Sequence, residues 1–569
     1  MVYLLFVWLK IALYGLTIGR LIFKDAEPVP KMWGGIAVIV VVTGFLNLFV
    51  PVDKDFQIVC DVFILALAFL QWKKLKSDII EMFSFINIEN NFSLLIFVSV
   101  TGVITLFANS ARSTLTDMGF YYIQSIKWIQ EFPAVPGLGN LFTRLANNSN
   151  WFVASALFNP KWLVPAYPLN GFLFFTAILY LLKLHYDVTF DTEPRIRSIF
   201  FALAIGTAIT LYQWKVEAPN TDVAVTLLFW ILCGLFIVAE RDILRTHTLR
   251  VLIVVLALFI PTIKLNYLPA LLIPAYLVWK EIKEQKWQLA VITCISALLI
   301  YIPWCIRSVI LSGYLVFPIY QIDLFNFDWK MPKEILIYEN ELIKWWARVP
   351  YIDTTISSKM TLSEWLPNWI LNLTLVNKAL LLSTIVGTIL YLKDIVFKIS
   401  HDTKENLVLF ITSLAGVIIC LVAAPDLRFC YGFLMMLNAI AYKDFVLKIF
   451  GSEKVRTAIL YLGIVCMVLT GIFIARTADT GILVPCHRYP GSLRIQEVNG
   501  IKIHMAQSPG EMGDIAADDS AWVRWWKQNH RGIYEDRLWD AGLPASPYIR
   551  PGLKLRGESI KDGFKIVNP

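Results

Sequence analysis

Five charged residues stand out because each interrupts or borders a long apolar run: Asp117, Asp222, Lys264, Arg307 and Arg428. A carboxylate such as Asp117 or Asp222 can accept a proton from a hydroxyl nucleophile. Lysine holds a phosphate as a point charge, and arginine holds it with a planar fork. A base beside a phosphate clamp suits a reaction in which a lipid phosphate leaves and its developing charge is stabilised. Around Asp117 the segment "TDMGFYYIQSIKWIQEFPAVPGLGNL" adds Tyr121, Tyr122, Gln124 and Lys127, with Arg144 and Asn148 just beyond. On a helix, Asp117, Tyr121 and Gln124 share a face at i, i+4 and i+7 spacing, within reach of sugar hydroxyls.

Each residue also has a plainer reading. Asp117 and Asp222 suit helix N-caps, Asp222 after Asn220 and Thr221. Lys264, Arg307 and Arg428 suit cations that snorkel to headgroups. Tyr121 and Tyr122 suit interface anchors, and Asn148 suits a loop amide. The glycines of "VPGLGNL" follow no strand, so they mark a turn with positive φ at Gly137 and Gly139 rather than a nucleotide loop.

The elements that must position these residues are membrane helices. The chain has 569 residues, 57% hydrophobic and only 17% charged, too apolar for an ordinary soluble surface. Runs long enough to cross a bilayer recur, and length and hydropathy give about 14 spans. They fall near 2–22, 33–51, 55–72, 92–110, 164–184, 196–213, 222–240, 248–263, 265–280, 288–304, 374–394, 407–424, 429–448 and 457–475. The first carries no basic leader or small-residue cleavage site and reads as a retained helix. The pair flanking Lys264 is unusually tight.

Alternate loops carry basic residues, among them Arg20, Lys73, Arg195, Lys280, Lys393 and Lys443. That alternation places them in the cytoplasm and all five candidate residues on the outer face. It also accounts for the net charge of +8 without nucleic acid. The eight cysteines and six histidines show no metal-ligand spacing. No cofactor is expected. A divalent metal held jointly by Asp117, Asp222 and a donor phosphate is the one ion the set accommodates.

The expected fold class is therefore an all-α polytopic membrane protein. Residues 1–475 form the membrane domain, with long outer loops at 111–163 and 305–373. The second loop contains interfacial helices, with Trp345 and Trp346 at headgroup depth. Residues 476–569 form a small outer domain packed on it. Its "DDSAWVRWWKQN" stretch brings Trp522, Trp525 and Trp526 for stacking on sugars or for docking.

The segment "DMGFYYIQSIKWIQEFPAVPGLGNLFTRLANNSNWF" resembles the first outer loop of GT-C-type membrane glycosyltransferases, especially bacterial GT-C-like proteins with a "VPGLGNL.RLA.NS" run. "APNTD", "TIKLNYLP", "RSVILSGYLVFP" and "APDLRF" resemble later motifs of that group in the same order. "LRGESIKDGFKI" is a weaker echo. The resemblance spans roughly residues 100 to 435. It differs in placing the acid after the fourth span, where many such enzymes have it after the first.

The resemblance implies an inverting sugar transfer in a bacterial inner membrane, from a polyprenyl-phosphate-linked donor to a glycan, lipid or protein acceptor on the periplasmic face. Asp117 would be the general base and Asp222 would orient substrate or tune it. Lys264, Arg307 and Arg428 would hold the donor phosphate. The same residues would serve a glycan polymerase or ligase using lipid diphosphates. A flippase or transporter of lipid-linked glycans would instead need charges through the middle of several spans.

Overall fold

The computed structural model describes residues 1–569 apart from 87–90, 161–162, 187–193, 241–245, 351, 353, 398–402, 488–493, 506–536 and 568–569. Trp522, Trp525 and Trp526 lie outside the described residues. The chain is mostly helical. Among the described residues nine helices are long and apolar enough to cross a membrane: Val2–Ile22, Pro28–Leu46, Phe92–Asn109, Leu169–Tyr186, Thr221–Ala239, Gln288–Ser312, Leu375–Phe397, Lys404–Ala423 and Glu453–Thr477. This is a polytopic membrane architecture.

Shorter helices stand at other expected spans, including Lys54–Leu70 and Pro194–Ile209. The tight pair around Lys264 is one helix, Thr246–Ile263, and a 3-10 turn, Leu265–Leu271, that runs on into Leu272–Lys283. Pro261 and Pro269 sit in this stretch and remove backbone donors, so a regular helix cannot continue through Lys264.

Thr221–Ala239 is the pillar of the bundle: every residue of it except Asp222 is buried. It starts cleanly because the Asn220 carboxamide oxygen accepts from the Asp222 N–H at 3.0 Å. Val2–Ile22 and Pro28–Leu46 pack closest. A Cβ on Gly35 would come within 2.0 Å of the Gly15 carbonyl oxygen, so small residues set this contact. Far along the chain from the candidate residues, charges are buried in pairs. Arg20 and Lys31 reach Asp78 at 2.6 and 2.7 Å, and Lys183 pairs with Glu27. Lys31, 2% exposed, is thus an internal partner.

The C-terminal tail contributes two antiparallel strand pairs, Arg494–Val498 with Ile501–Met505 and Leu553–Leu555 with Phe564–Ile566. It shares its core with the first long loop. Trp128, Leu138, Leu141 and Phe142 from the loop pack with Ile503, Leu538, Leu553 and Phe564 from the tail. The "VPGLGNL" turn is the socket for this docking. Gly137 is left-handed, with φ 65°, and Phe564 N–H donates to the Pro136 carbonyl at 2.9 Å. Gly139, expected at positive φ, does not have it. It is small for another reason, since a Cβ there would lie 2.3 Å from the Met331 sulfur.

Candidate active site

The loop after Phe92–Asn109 does not enter an ordinary α-helix. Met118–Tyr122 forms a wide π-turn, closed by Ile123 N–H donating to the Met118 carbonyl, and an α-helix follows over Ile123–Glu131. The extra residue per turn frees a carbonyl. Gly119 turns its oxygen outward and accepts from Leu538 N–H at 3.0 Å and Trp539 N–H at 2.9 Å. The side-chain register of Asp117, Tyr121 and Gln124 therefore departs from the i, i+4, i+7 face expected of an α-helix.

Asp117 precedes this turn, and its carboxylate makes no capping bond. It is about a third exposed, and one oxygen lies 4.0 Å from an Arg428 terminal nitrogen. Arg428 also binds Asp426 at 2.8 Å through Nε. Asp426 in turn caps the 3-10 turn Leu427–Cys430 by accepting from Arg428 N–H at 3.1 Å. Trp369, on the Leu362–Asn372 helix of the second long loop, holds this segment by donating to the Pro425 carbonyl at 2.8 Å.

Asp222 and Lys264 form a direct ion pair. The Lys264 ammonium sits 4.0 Å above the Phe429 ring, and the Arg428 guanidinium lies 5.0 Å from the same ring. Phe429 thus sits between the two cations, with its carbonyl accepting from Asn266. The Tyr122 phenol senses Asp117, Asp222 and Arg428. Burial pushes its pKa well above the ordinary value, Tyr121, Asp117 and Asp222 push it further, and Arg428 works against them. Tyr121 is likewise raised by burial and then by Asp117. Both phenols are therefore hydrogen-bond donors at neutral pH, packed edge to face at 4.7 Å.

Arg144 belongs to this neighbourhood. Burial works against its charge, but Glu339 at 2.8 Å, Tyr121 and Asp117 outweigh it and raise its pKa. Four of the five charged candidates thus converge: Asp117, Asp222, Lys264 and Arg428. Tyr121, Tyr122 and Arg144 join them. Neither acid performs the capping role that its sequence position suggested, and neither Lys264 nor Arg428 reaches away from the acids.

Gln124 and Lys127 do other work. The fully buried Gln124 amide donates to the carbonyls of Trp539 and Ala541 at 2.9 and 3.1 Å. The Lys127 ammonium reaches the Asp540 carboxylate at 3.1 Å and the Ala541 carbonyl at 2.9 Å. Both hold the tail. Arg307 also stands apart. Its guanidinium donates to Asn148 Oδ1 at 2.7 Å, and no acid among the described residues lies within ion-pair distance.

Sequence reasoning passed over Asp426, Glu339 and Phe429. Asp426 was visible two residues before Arg428 in "APDLRF". Glu339 had no local signal, because its partner Arg144 comes from the other long loop. Among the described residues no three His, Cys, Asp or Glu side chains gather as a metal site. The cluster as it stands offers an uncapped carboxylate, two cations and two phenol donors within one neighbourhood. Such a set can deprotonate a hydroxyl and hold an anionic leaving group.

A family model described as a domain of unknown function, DUF8201, matches residues 1–435, and the chain belongs to that family. The match contains the Asp117–Arg428 cluster and ends before the tail that docks on the first long loop. No curated protein and no solved structure matches the chain.

Proposed function

We propose that this DUF8201 member is a GT-C-like glycosyltransferase of a bacterial inner membrane, built on about 14 spans, with its site and tail on the periplasmic side. The acceptor hydroxyl attacks the anomeric carbon of a polyprenyl-phosphate sugar. The bond from that carbon to the phosphate oxygen breaks, and the hydroxyl proton passes to Asp117. The configuration inverts. Arg428 and Lys264 hold the departing lipid phosphate, with Lys264 drawn between the phosphate and Asp222. Tyr121, Tyr122 and Arg144 orient the sugar or acceptor. The acceptor is an envelope glycan, lipid or protein, and a polymerase or ligase using lipid diphosphates would employ the same groups.

The observation that carries this reading is the carboxylate of Asp117, free of capping duty and set beside Arg428 at 4.0 Å. The test is transfer by the purified full chain in lipid nanodiscs from a panel of polyprenyl-phosphate sugars to envelope extracts. Labelled product formed only with a lipid-linked donor supports it. Lipid-linked glycan moved across the bilayer without any new glycosidic bond would overturn it.

One observation favours the flippase reading. Lys10 and Asp61 form an ion pair at 2.7 Å midway along their helices, and Tyr14 also donates to Asp61. Charge at that depth is expensive and usually functional. Against it, the pair lies between two helices whose Phe6, Leu9, Val62 and Phe63 side chains are exposed, at the edge of the bundle rather than around a central path.

A further inference from the structure

The turn that presents Arg428 is bracketed by two cysteines. Cys420 lies in the last turn of the Lys404–Ala423 helix, and Cys430 closes the 3-10 turn Leu427–Cys430. Between them run Pro425, Asp426, Arg428 and Phe429, the stretch that reaches Asp117 and sets an aromatic ring between the two cations. Both cysteines are free thiols in the structure, and both are buried, at 3% and 0% exposure.

A buried free cysteine ordinarily packs as a small hydrophobe. These two differ in where they point. The Cys420 thiol donates to the Ala424 and Asp426 carbonyls, each at 3.5 Å, and the Cys430 thiol donates to the Leu427 carbonyl at 3.6 Å. Asp426 and Leu427 are consecutive, so the two sulfurs are drawn to one short stretch of backbone from opposite ends of the loop. There they are in hydrogen-bond contact with each other. A disulfide holds its sulfurs at about 2.05 Å and cannot join side chains that point apart. Thiols already in contact point together and need only a short further approach.

The proposed topology puts this turn on the outer side of the membrane. Disulfides form and persist there, whereas thiols on the cytoplasmic side are kept reduced. Burial is no obstacle. The folded pair is closed to reagents, so the bond forms while the turn is folding, and the same burial then protects it from reduction.

We propose that Cys420 and Cys430 form a disulfide that closes the Pro425–Phe429 loop and fixes Arg428 in the cluster. Two S–H bonds break and one S–S bond forms. The two protons and two electrons convert an external disulfide, the oxidant, to two thiols. The bond ties the end of the Lys404–Ala423 helix to the start of Tyr431–Ala441. It adds to the two hydrogen bonds that already hold this loop, from Trp369 to the Pro425 carbonyl and from Asn266 to the Phe429 carbonyl. The inference rests on the proposed outward placement of the turn and not on sugar transfer.

Trypsin provides the test, because it cleaves after Arg428, between the two cysteines. Cells expressing the full chain are quenched in acid, free thiols are trapped with N-ethylmaleimide in denaturant, and the protein is digested. A disulfide holds peptides 405–428 and 429–443, which carry one cysteine each, as a single species that separates on reduction. Wild type should yield that species without maleimide on either peptide, and Cys420→Ser and Cys430→Ser should each abolish it. In the purified chain, reduction should speed hydrogen exchange of amides 427–430 by at least about tenfold, since the tie that limits local opening is gone. Orientation is read separately. Glu497→Cys, exposed on the tail strand Arg494–Val498, is probed in spheroplasts with a membrane-impermeant maleimide. Maleimide on both Cys420 and Cys430 with Glu497→Cys labelled from outside would overturn the pairing. The same result with Glu497→Cys shielded would overturn the outward placement and the inference with it. A linked species whose reduction leaves exchange at 427–430 unchanged would overturn the claim that the bond fixes Arg428.

Discussion

Gly119→Ala is the sharpest test of how the tail holds the candidate site. A Cβ on Gly119 would fall 2.7 Å from two atoms of the Trp539 ring, and the ring is 1% exposed, with little room to retreat. Overpacking of this kind costs roughly 1–3 kcal/mol. If the docked tail shifts to relieve the clash, the two bonds from Leu538 and Trp539 to the Gly119 carbonyl, each worth about 1 kcal/mol net, are weakened in the docked state as well. Docking of residues 538–541 should therefore weaken by about 3 kcal/mol, roughly a hundredfold in the local opening equilibrium. Hydrogen exchange followed by mass spectrometry reads this directly. Amides of 537–548 should exchange about a hundredfold faster in the variant, while those of the Thr221–Ala239 helix should not change. Unchanged protection of 537–548 would refute the claim that Gly119 is small to admit Trp539.

Gln124→Leu should loosen the same segment by about 2 kcal/mol, because the carbonyls of Trp539 and Ala541 each lose a buried donor; hydrogen exchange again measures it. Lys264→Met should destabilise the protein by about 2 kcal/mol by removing the cation paired directly with the mostly buried Asp222, and Asp222→Asn in the same chain should restore most of the loss in a double-mutant cycle on melting temperature. His487 is buried and neutral: its Nδ1 accepts from Tyr167 N–H and its Nε2 donates to the Asn109 carbonyl. Burial lowers its pKa from 6.5 to about 4, so the unfolded chain takes up a proton first as pH falls. Stability present above pH 6.5 should thus be lost progressively toward pH 4, by about 3 kcal/mol at most, and a His487→Gln variant should lack that part of the pH dependence.

The membrane architecture was legible because apolar runs of spanning length leave little choice of environment, and Asp222, Lys264 and Arg428 were legible because charge at a helix end in such a chain is expensive. Their convergence was not, since nothing local pairs Asp222 with Lys264 or sets Phe429 between Lys264 and Arg428. Gln124 and Lys127 looked like substrate contacts because their partners, Trp539 to Ala541, come from the far end of the chain. The π-turn escaped for the same reason: the donors that draw out the Gly119 carbonyl are tail amides, so local periodicity carries no trace of them. Arg307 was grouped with the other cations by its type and its position near a helix end. What separates it is packing, namely burial against Asn148, whose carboxamide oxygen takes its guanidinium in place of an acid.

The most direct measurement is transfer by wild type and Asp117→Asn in nanodiscs with the same lipid-linked donor, with donor binding followed in parallel. The variant should bind donor as wild type does and lose transfer by about 100-fold or more, as expected when a general base is removed. Equal transfer by both proteins would contradict the central claim that the uncapped carboxylate at Asp117 takes the acceptor proton.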